Sequence, residues 1–269
     1  MEIRPARSYP VPGHPDLESS YQYHPGMPEN VILRMSKSSV GDYSFCQQQY
    51  FIKRVLGVKE PETEAMIRGS NVHDATEDFY NDLDIEDAVA LKKHGYEKVL
   101  KHFRTFIPNS SPKRGVFELG EQEHLDKLFV AEAKRFMVSN PEYFKPVGNE
   151  ITLNALVEID GQKVHLTGII DRMFMDEDGA IHLHELKTGV FKDKKSKWES
   201  MRKEMAFYVY LLTICDHPKL KGVNTSYWGW DHTGGLFEEY DDRVFRVIET
   251  VKSPEIALMK KDISDLIKS

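Results

Sequence analysis

Three side chains in the pattern GIIDR…HELKTG stand where chemistry could be done. Asp171 ends an apolar run, and twelve residues after Arg172 the stretch 184–189 places Glu185 and Lys187 two apart. A strand sends alternate side chains to opposite faces, so Glu185 and Lys187 project side by side. If a hairpin joins the two strands, Asp171 and Glu185 lie across from each other. Two anions aimed together repel unless a cation sits between them. Hard carboxylate oxygens suit Mg²⁺ or Mn²⁺, which keep several waters and complete their shell with phosphate oxygens. Lys187 beside such an ion would orient an attacking water and offset charge developing on a phosphate, while the metal makes that water more acidic.

The elements that must position these groups follow from periodicity. Residues 151–159 alternate, Asp160-Gly161 is a hairpin turn, 163–175 alternate again, Asp178-Gly179 marks a second turn, and 180–187 form a third strand. Residues 198–215 return to helical spacing, 223–230 read as a further strand, Gly234-Gly235 as a turn and 236–240 as its partner. A C-terminal helix interrupted at Pro254 closes the chain. Upstream, Ser36 is a candidate cap for a helix ending near Gly57, and Ser70 for a second helix carrying Val72, Phe79 and Leu83. Two amphipathic segments, 86–106 and 121–139, make this half largely helical. The first thirty or so residues hold six of the thirteen prolines and show no periodicity, so 1–35 reads as an irregular arm outside the core.

The expected fold is α+β: an antiparallel three-stranded meander, a helix and a further strand beside a helical N-terminal half. Residues 36–269 form one domain, with a helical part (36–145), a catalytic sheet (146–242) and a C-terminal helix (243–269). At 269 residues and 40% hydrophobic content the chain can build a proper core. No apolar run is long enough for a membrane helix and no secretory signal is evident, so a cytoplasmic location is expected. Net charge is −7, which argues against non-specific coating of nucleic acid. A local basic channel remains available from Lys192, Lys194, Lys195, Lys197, Arg202 and Lys203, directly after the Glu-Leu-Lys element. Two cysteines, Cys46 and Cys215, are too few for a thiolate cluster.

As a whole the chain resembles the PD-(D/E)XK nuclease superfamily, in particular its RecB-like exonuclease branch in the freestanding form found in phages. GIIDR, HELKTG and a helix carrying Glu204-Met-Ala-Phe-Tyr208 match its motifs in order. Upstream, Gly69-Ser-Asn-Val-His73 is similar to that branch's Gly-x-x-x-His helix, and residues 38–50 to its N-terminal helical signature. The resemblance spans 36–230 and implies a restriction-endonuclease-like core.

That resemblance implies roles. Asp171 and Glu185 would bind metal and Lys187 would be the catalytic lysine. His73 would be a further ligand, with the main-chain carbonyl of Leu186 adding another oxygen. Tyr208 would support the site and the DNA strand. Independently of the resemblance, Arg172, Lys195, Lys197, Arg202 and Lys203 are the candidate cations for the substrate backbone. Glu204 replaces the branch's Gln: it contacts Lys187 or a basic neighbour, or it extends the metal cluster. Glu150 reads as an outer acid at a solvated strand edge. The implied cofactor is one or two Mg²⁺ or Mn²⁺ ions, with no iron-sulfur cluster, since Cys46 has no downstream triplet, and no nucleotide. The implied substrate is DNA, single- or double-stranded, attacked at its ends. Any unwinding would come from a helicase or recombination partner, because no Walker loop is present. Ring-shaped oligomers occur among such relatives; nothing in this sequence specifies one.

Two other readings compete. His182-x-His184 with Glu185 suggests an iron oxygenase, but period two turns both histidines away from Glu185. A DNA-binding scaffold without cutting, or a flap endonuclease, would use the same fold. Intact Asp171, Glu185 and Lys187 favour hydrolysis.

Overall fold

In the computed structural model, which describes residues 6–111, 115–116, 119–179, 181–186, 194–215, 229–232, 245–248 and 253–268, one long strand organises the sheet. This is β7 (Gln162–Met175). It pairs along its length with β6 (Gly148–Ile159) through the turn at Asp160-Gly161, whose φ angles of 51° and 79° are those a tight hairpin needs. After a second turn, in which Gly179 (φ 76°) donates its N–H to the Asp176 carbonyl, β8 (Ile181–His184) returns antiparallel. The expected meander is thus present.

The N-terminal arm is a correction. Strands β1 (Tyr9–Val11), β2 (His14–Ser20) and β3 (Val31–Ser36) extend the sheet, in the order β1-β2-β3-β7-β6, and β3 lies parallel to β7. Val31, Ile32, Leu33 and Met35 are buried, which is how a central strand reads. Pro10 and Pro15 lie on β1 and β2, at or near the sheet margin where a missing donor is tolerated.

Ser36 caps α1 (Lys37–Phe45) as expected, by a reciprocal capping box with Ser39. Next come α2 (Gln47–Tyr50) and a π-helical turn, Phe51–Val55, before Gly57. Helix α3 (Glu64–Asp82) starts earlier than expected: Thr63 caps it, so Gly69 and Ser70 lie inside. The segment 86–106 divides into α4 (Ile85–Lys92) and α5 (Tyr96–Phe103), because Gly95 takes φ 94° between them. A minimal hairpin, β4 (Ser110–Ser111) with β5 (Gly115–Val116), precedes α6 (Leu119–Val138). Helix α7 (Lys194–Ile214) follows the meander, and β9 (Gly229–His232) pairs with β10 (Phe245–Ile248). Strand β10 replaces part of the expected C-terminal helix, which begins later as α8 (Ser253–Lys268). Pro254 sits in its first turn, where no N–H partner is lost, so it starts the helix instead of interrupting it. The expected turn at 234–235 and strand 236–240 lie outside the described residues.

Two apolar clusters result. One packs α7 and α8 on the sheet through Leu33, Ile151, Leu166, Ile170, Leu211 and Ile263. The other joins α3 to α6 through Val72, Phe79, Phe103, Phe129 and Phe136. Their junction falls at the carboxylate-bearing end of β7.

Candidate metal centre

One flank of β7 is interrupted. Strand β3 ends at Ser36, opposite Thr167, and β8 ends at His184, opposite Arg172, so residues 168–171 have no strand partner on that side among the described residues. Backbone and side-chain polar groups still need partners there. The Tyr208 hydroxyl donates to the Ile169 carbonyl at 2.6 Å, and the Leu186 N–H donates to Asp171 Oδ2 at 2.6 Å.

The other flank is kinked at the same level. The β6–β7 ladder includes Asn149↔Arg172 and Ile151↔Ile170 but skips the Glu150/Asp171 pair between them. Glu150 takes φ 45°, a left-handed conformation unusual for a residue with a Cβ. Such strain collects at functional sites. Side chains change neighbours across the kink: Ile151 and Ile170 join the cluster under α7, whereas Asn149 bonds Asn81 and Arg172 bonds Thr76, both on α3.

Helix α3 brings His73 to this kink. Its Nδ1 lies 3.7 Å from Glu150 Oε1 and 3.7 Å from Asp171 Oδ2, and ligand atoms of all three residues fall within 4.8 Å of one another. His73 Nε2 is 3.1 Å from the Leu186 carbonyl. A proton on Nε2 donated to that carbonyl leaves the Nδ1 lone pair facing the carboxylates, the arrangement by which outer partners fix a ligating imidazole. Burial opposes charge on His73, but the Glu150 and Asp171 carboxylates outweigh it and raise its pKa above the ordinary range. One imidazole and two carboxylates fit a small divalent cation.

Glu185 is placed otherwise. Continuing the β7–β8 register puts it opposite Asp171, as expected, yet its Oε1 is bound by Lys37 Nζ at 2.6 Å. The same ammonium is 3.2 Å from Glu204 Oε2 and 5.0 Å from the centre of the Tyr208 ring. Burial would lower the Lys37 pKa, but Glu185 and then Glu204 overcome it and hold the group well above its usual value. Glu204 thus meets a basic neighbour.

Three expected site residues have settings of their own. Arg172 is not at a substrate surface: it is buried, donates to Thr76 Oγ1 at 2.8 Å and lies over the Tyr80 ring. It pins α3 to β7 one helical turn from His73. The Leu186 carbonyl, expected as a direct ligand, lies 3.1 Å from His73 Nε2. Glu150, read as a solvated edge group, belongs to the cluster. Lys187 and Lys192 lie outside the described residues. Lys194, Lys195 and Lys197 fall in the first turns of α7, and Arg202 and Lys203 line a groove of about 680 Å³ between α1, α7 and α8, shared with Lys37 and Glu204. His182 and His184 do not converge with Glu185: the first pairs with Asp176 at 2.8 Å and the second lies tilted against the Phe174 ring, 4.3 Å between centres.

Lys37 escaped the sequence reading although a signal exists. It is the first residue of α1, where the helix macrodipole favours an anion, and no acid occupies that first turn. A lysine at that position is disfavoured by the dipole, and carboxylates from elsewhere in the fold offset it here.

The sequence model of the PD-(D/E)XK nuclease superfamily matches residues 34–268. The chain belongs to the PD-(D/E)XK nuclease superfamily. As a PD-(D/E)XK protein it is a metal-dependent nuclease, and membership implies DNA as substrate. The mixed α+β architecture is consistent with the restriction-endonuclease-like fold of the superfamily. No curated protein matches the chain. Among solved structures, the crystal structure of SSO0001 is similar over 76% of this chain and 86% of that one, at 12% identity and a TM-score of 0.36. That likeness is too loose to add to the assignment. No helix among the described residues of this PD-(D/E)XK nuclease is long and apolar enough to cross a membrane.

Proposed function

We propose that this PD-(D/E)XK nuclease is a Mg²⁺- or Mn²⁺-dependent exodeoxyribonuclease of the RecB-like, phage type, degrading DNA from its ends during recombination or repair in the cytoplasm. The observation that carries the metal-centred reading is His73 Nδ1, equidistant at 3.7 Å from Glu150 Oε1 and Asp171 Oδ2. His73, Glu150 and Asp171 would hold the ion, with Glu185 alongside Asp171 in register. The bound ion supplies Lewis-acid activation of water and phosphate. The chain's own residues do the positioning. Arg172 and Thr76 fix the helix that presents His73, and the Leu186 amide and carbonyl orient Asp171 and His73 respectively.

Lys187, two residues beyond Glu185, is the group assigned to orient the attacking water. Lys195, Lys197, Arg202 and Lys203 are assigned to the DNA backbone, which basic side chains bind without reading sequence. Support for action at ends comes from the Gly69–His73 and HELKTG signatures, which resemble the RecB-like branch. The test compares end-labelled linear, nicked and closed circular DNA, with Mg²⁺ or Mn²⁺, with EDTA, and with Lys187→Ala protein. Mononucleotide release from linear DNA alone, abolished by EDTA and by the substitution, is expected. Cutting of closed circles would replace the exonuclease with an endonuclease, and cutting that survives EDTA would remove the metal mechanism.

A further inference from the structure

Lys37 has two carboxylates within reach, and they belong to different parts of the molecule. Its Nζ lies 2.6 Å from Glu185 Oε1 and 3.2 Å from Glu204 Oε2. Glu185 stands across from Asp171 when the β7–β8 register is continued, which puts it beside the metal centre. Glu204 lies on α7 and lines the groove that α7 forms with α1 and α8. One ammonium therefore touches the centre on one side and a neighbouring helix on the other.

The two acids suit a cation differently. At Glu185 the ammonium would share a carboxylate with the divalent ion, and two positive charges on one carboxylate repel each other. The Glu185 side chain is only 5% exposed, so solvent screens little of that repulsion. Glu204 carries no such conflict. Tyr208 follows it by one helical turn, and the Tyr208 ring centre is 5.0 Å from Lys37 Nζ. The ring is fixed by its hydroxyl's bond to the Ile169 carbonyl. Helix α7 thus offers a carboxylate and an aromatic face together, which keeps the ammonium paired once it leaves Glu185. Without them, displacement would strand a part-buried charge. The backbone has no need to move, since one Nζ already contacts both acids and the capping box between Ser36 and Ser39 fixes the start of α1.

We propose that Lys37 competes with the divalent ion for Glu185, and that Glu204 with the Tyr208 ring receives the ammonium when the ion binds. Lys37 and Glu204 are positioning residues that set the metal affinity of this nuclease from outside the ligand set. The proposal rests on the metal-centre reading above, with Glu185 joining Asp171 at the ion.

Mn²⁺ titration of the full chain at pH 8 without DNA, followed by electron paramagnetic resonance and calorimetry, tests it. Lys37→Met, which keeps the apolar stem and removes the competing charge, should bind Mn²⁺ about tenfold more tightly than wild type. Damage to the fold would act in the opposite direction. Glu204→Gln keeps the shape, removes the second seat and should weaken binding about tenfold. In the Lys37→Met background the same change should have little effect, because no ammonium is left to seat. An equal loss in both backgrounds would reduce Glu204 to general electrostatics and overturn the proposal. Unchanged or weaker binding in a Lys37→Met protein with a wild-type circular dichroism spectrum would overturn it too. Both outcomes leave the metal centre standing. Labelling of Lys37 by an amine-reactive reagent, read by mass spectrometry, needs no change at position 37. Mn²⁺ should leave that labelling low in wild type and raise it in Glu204→Gln; no rise in Glu204→Gln would overturn the proposal. A wild type that binds no Mn²⁺ would bring down the metal-centre reading and this proposal with it.

Discussion

The ring of Tyr208 stands where any side chain at position 168 would have to be: a Cβ on Gly168 would lie 2.9 Å from Tyr208 Cε1 and 3.2 Å from Leu211 Cδ2. The ring cannot swing aside freely, because its hydroxyl is bonded to the Ile169 carbonyl beside the gap in the sheet. Gly168→Ala should therefore cost about 1–3 kcal/mol in chemical denaturation, the usual penalty of overpacking. It should also slow DNA cleavage, since the displaced ring carries Lys37 with it. Tyr208→Phe keeps the packing and loses one hydrogen bond, so a cost of about 1 kcal/mol is expected. An alanine at 168 that leaves stability untouched would mean that α7 does not lie this close to β7.

Asp171 and Glu150 separate charge from shape. Asp171→Asn retains an oxygen for the Leu186 N–H but gives up the carboxylate charge, so folding should survive while metal-dependent cleavage falls by ~10²-fold or more. Glu150→Gly should relieve the left-handed strain and raise the melting temperature, by about 1 kcal/mol of stability, while weakening Mn²⁺ binding. Thermal melting and Mn²⁺ titration on the same preparations would check both. A Glu150→Gly protein with wild-type metal affinity would place Glu150 outside the centre.

Arg172 supplies a prediction that distinguishes a brace from a DNA contact. Arg172→Met should lose about 2 kcal/mol of stability, the scale of one charge-assisted hydrogen bond in a buried setting. DNA affinity measured in EDTA should be unchanged. A weaker salt dependence of DNA binding in the variant would instead return Arg172 to the substrate surface.

Stability should also depend on pH through His165. Its Nε2 meets Asn154 at 3.0 Å, and its Nδ1 meets Ser19 and the Arg34 guanidinium, which leaves no room for a second ring proton. Burial first, and Arg34 second, push its pKa down to about 4. His124 is lowered to about 4 by burial and by Arg68 and Lys127. In the unfolded chain both titrate near ~6.5, so below that pH the unfolded state takes up protons the native state refuses. The stabilisation is complete above ~6.5 and fades as pH falls toward 4, by about 1 kcal/mol apiece. Denaturant midpoints measured between pH 7 and 4.5 should fall, and the slope should flatten in His165→Gln. An unchanged slope in that variant would assign the loss to other groups.

The meander was legible because its turns announce themselves: Asp160-Gly161 and Asp178-Gly179 bracket alternating runs, and alternation alone fixes which residues share a face. From the register it followed that Asp171 and Glu185 stand opposite. What the pattern could not reveal was how two carboxylates divide their partners, since Glu150 reaches the centre only by a left-handed backbone turn that no residue type advertises. The strand at Val31–Ser36 was hidden by the proline-rich stretch before it. Lys37 was hidden because its partners are 148 and 167 positions away in the chain.

That separation has a consequence for the cell that makes the protein. Position 37 comes from the N-terminal strand-to-helix junction, 73 from a helix, 150 and 171 from adjacent strands, 185 from the segment after a third strand, and 204 from a helix beyond it. Contacts between such distant stretches must each close a large loop, so they consolidate late in folding. A nascent or partly misfolded copy therefore lacks an assembled metal centre, and it is expected not to cut the DNA around it.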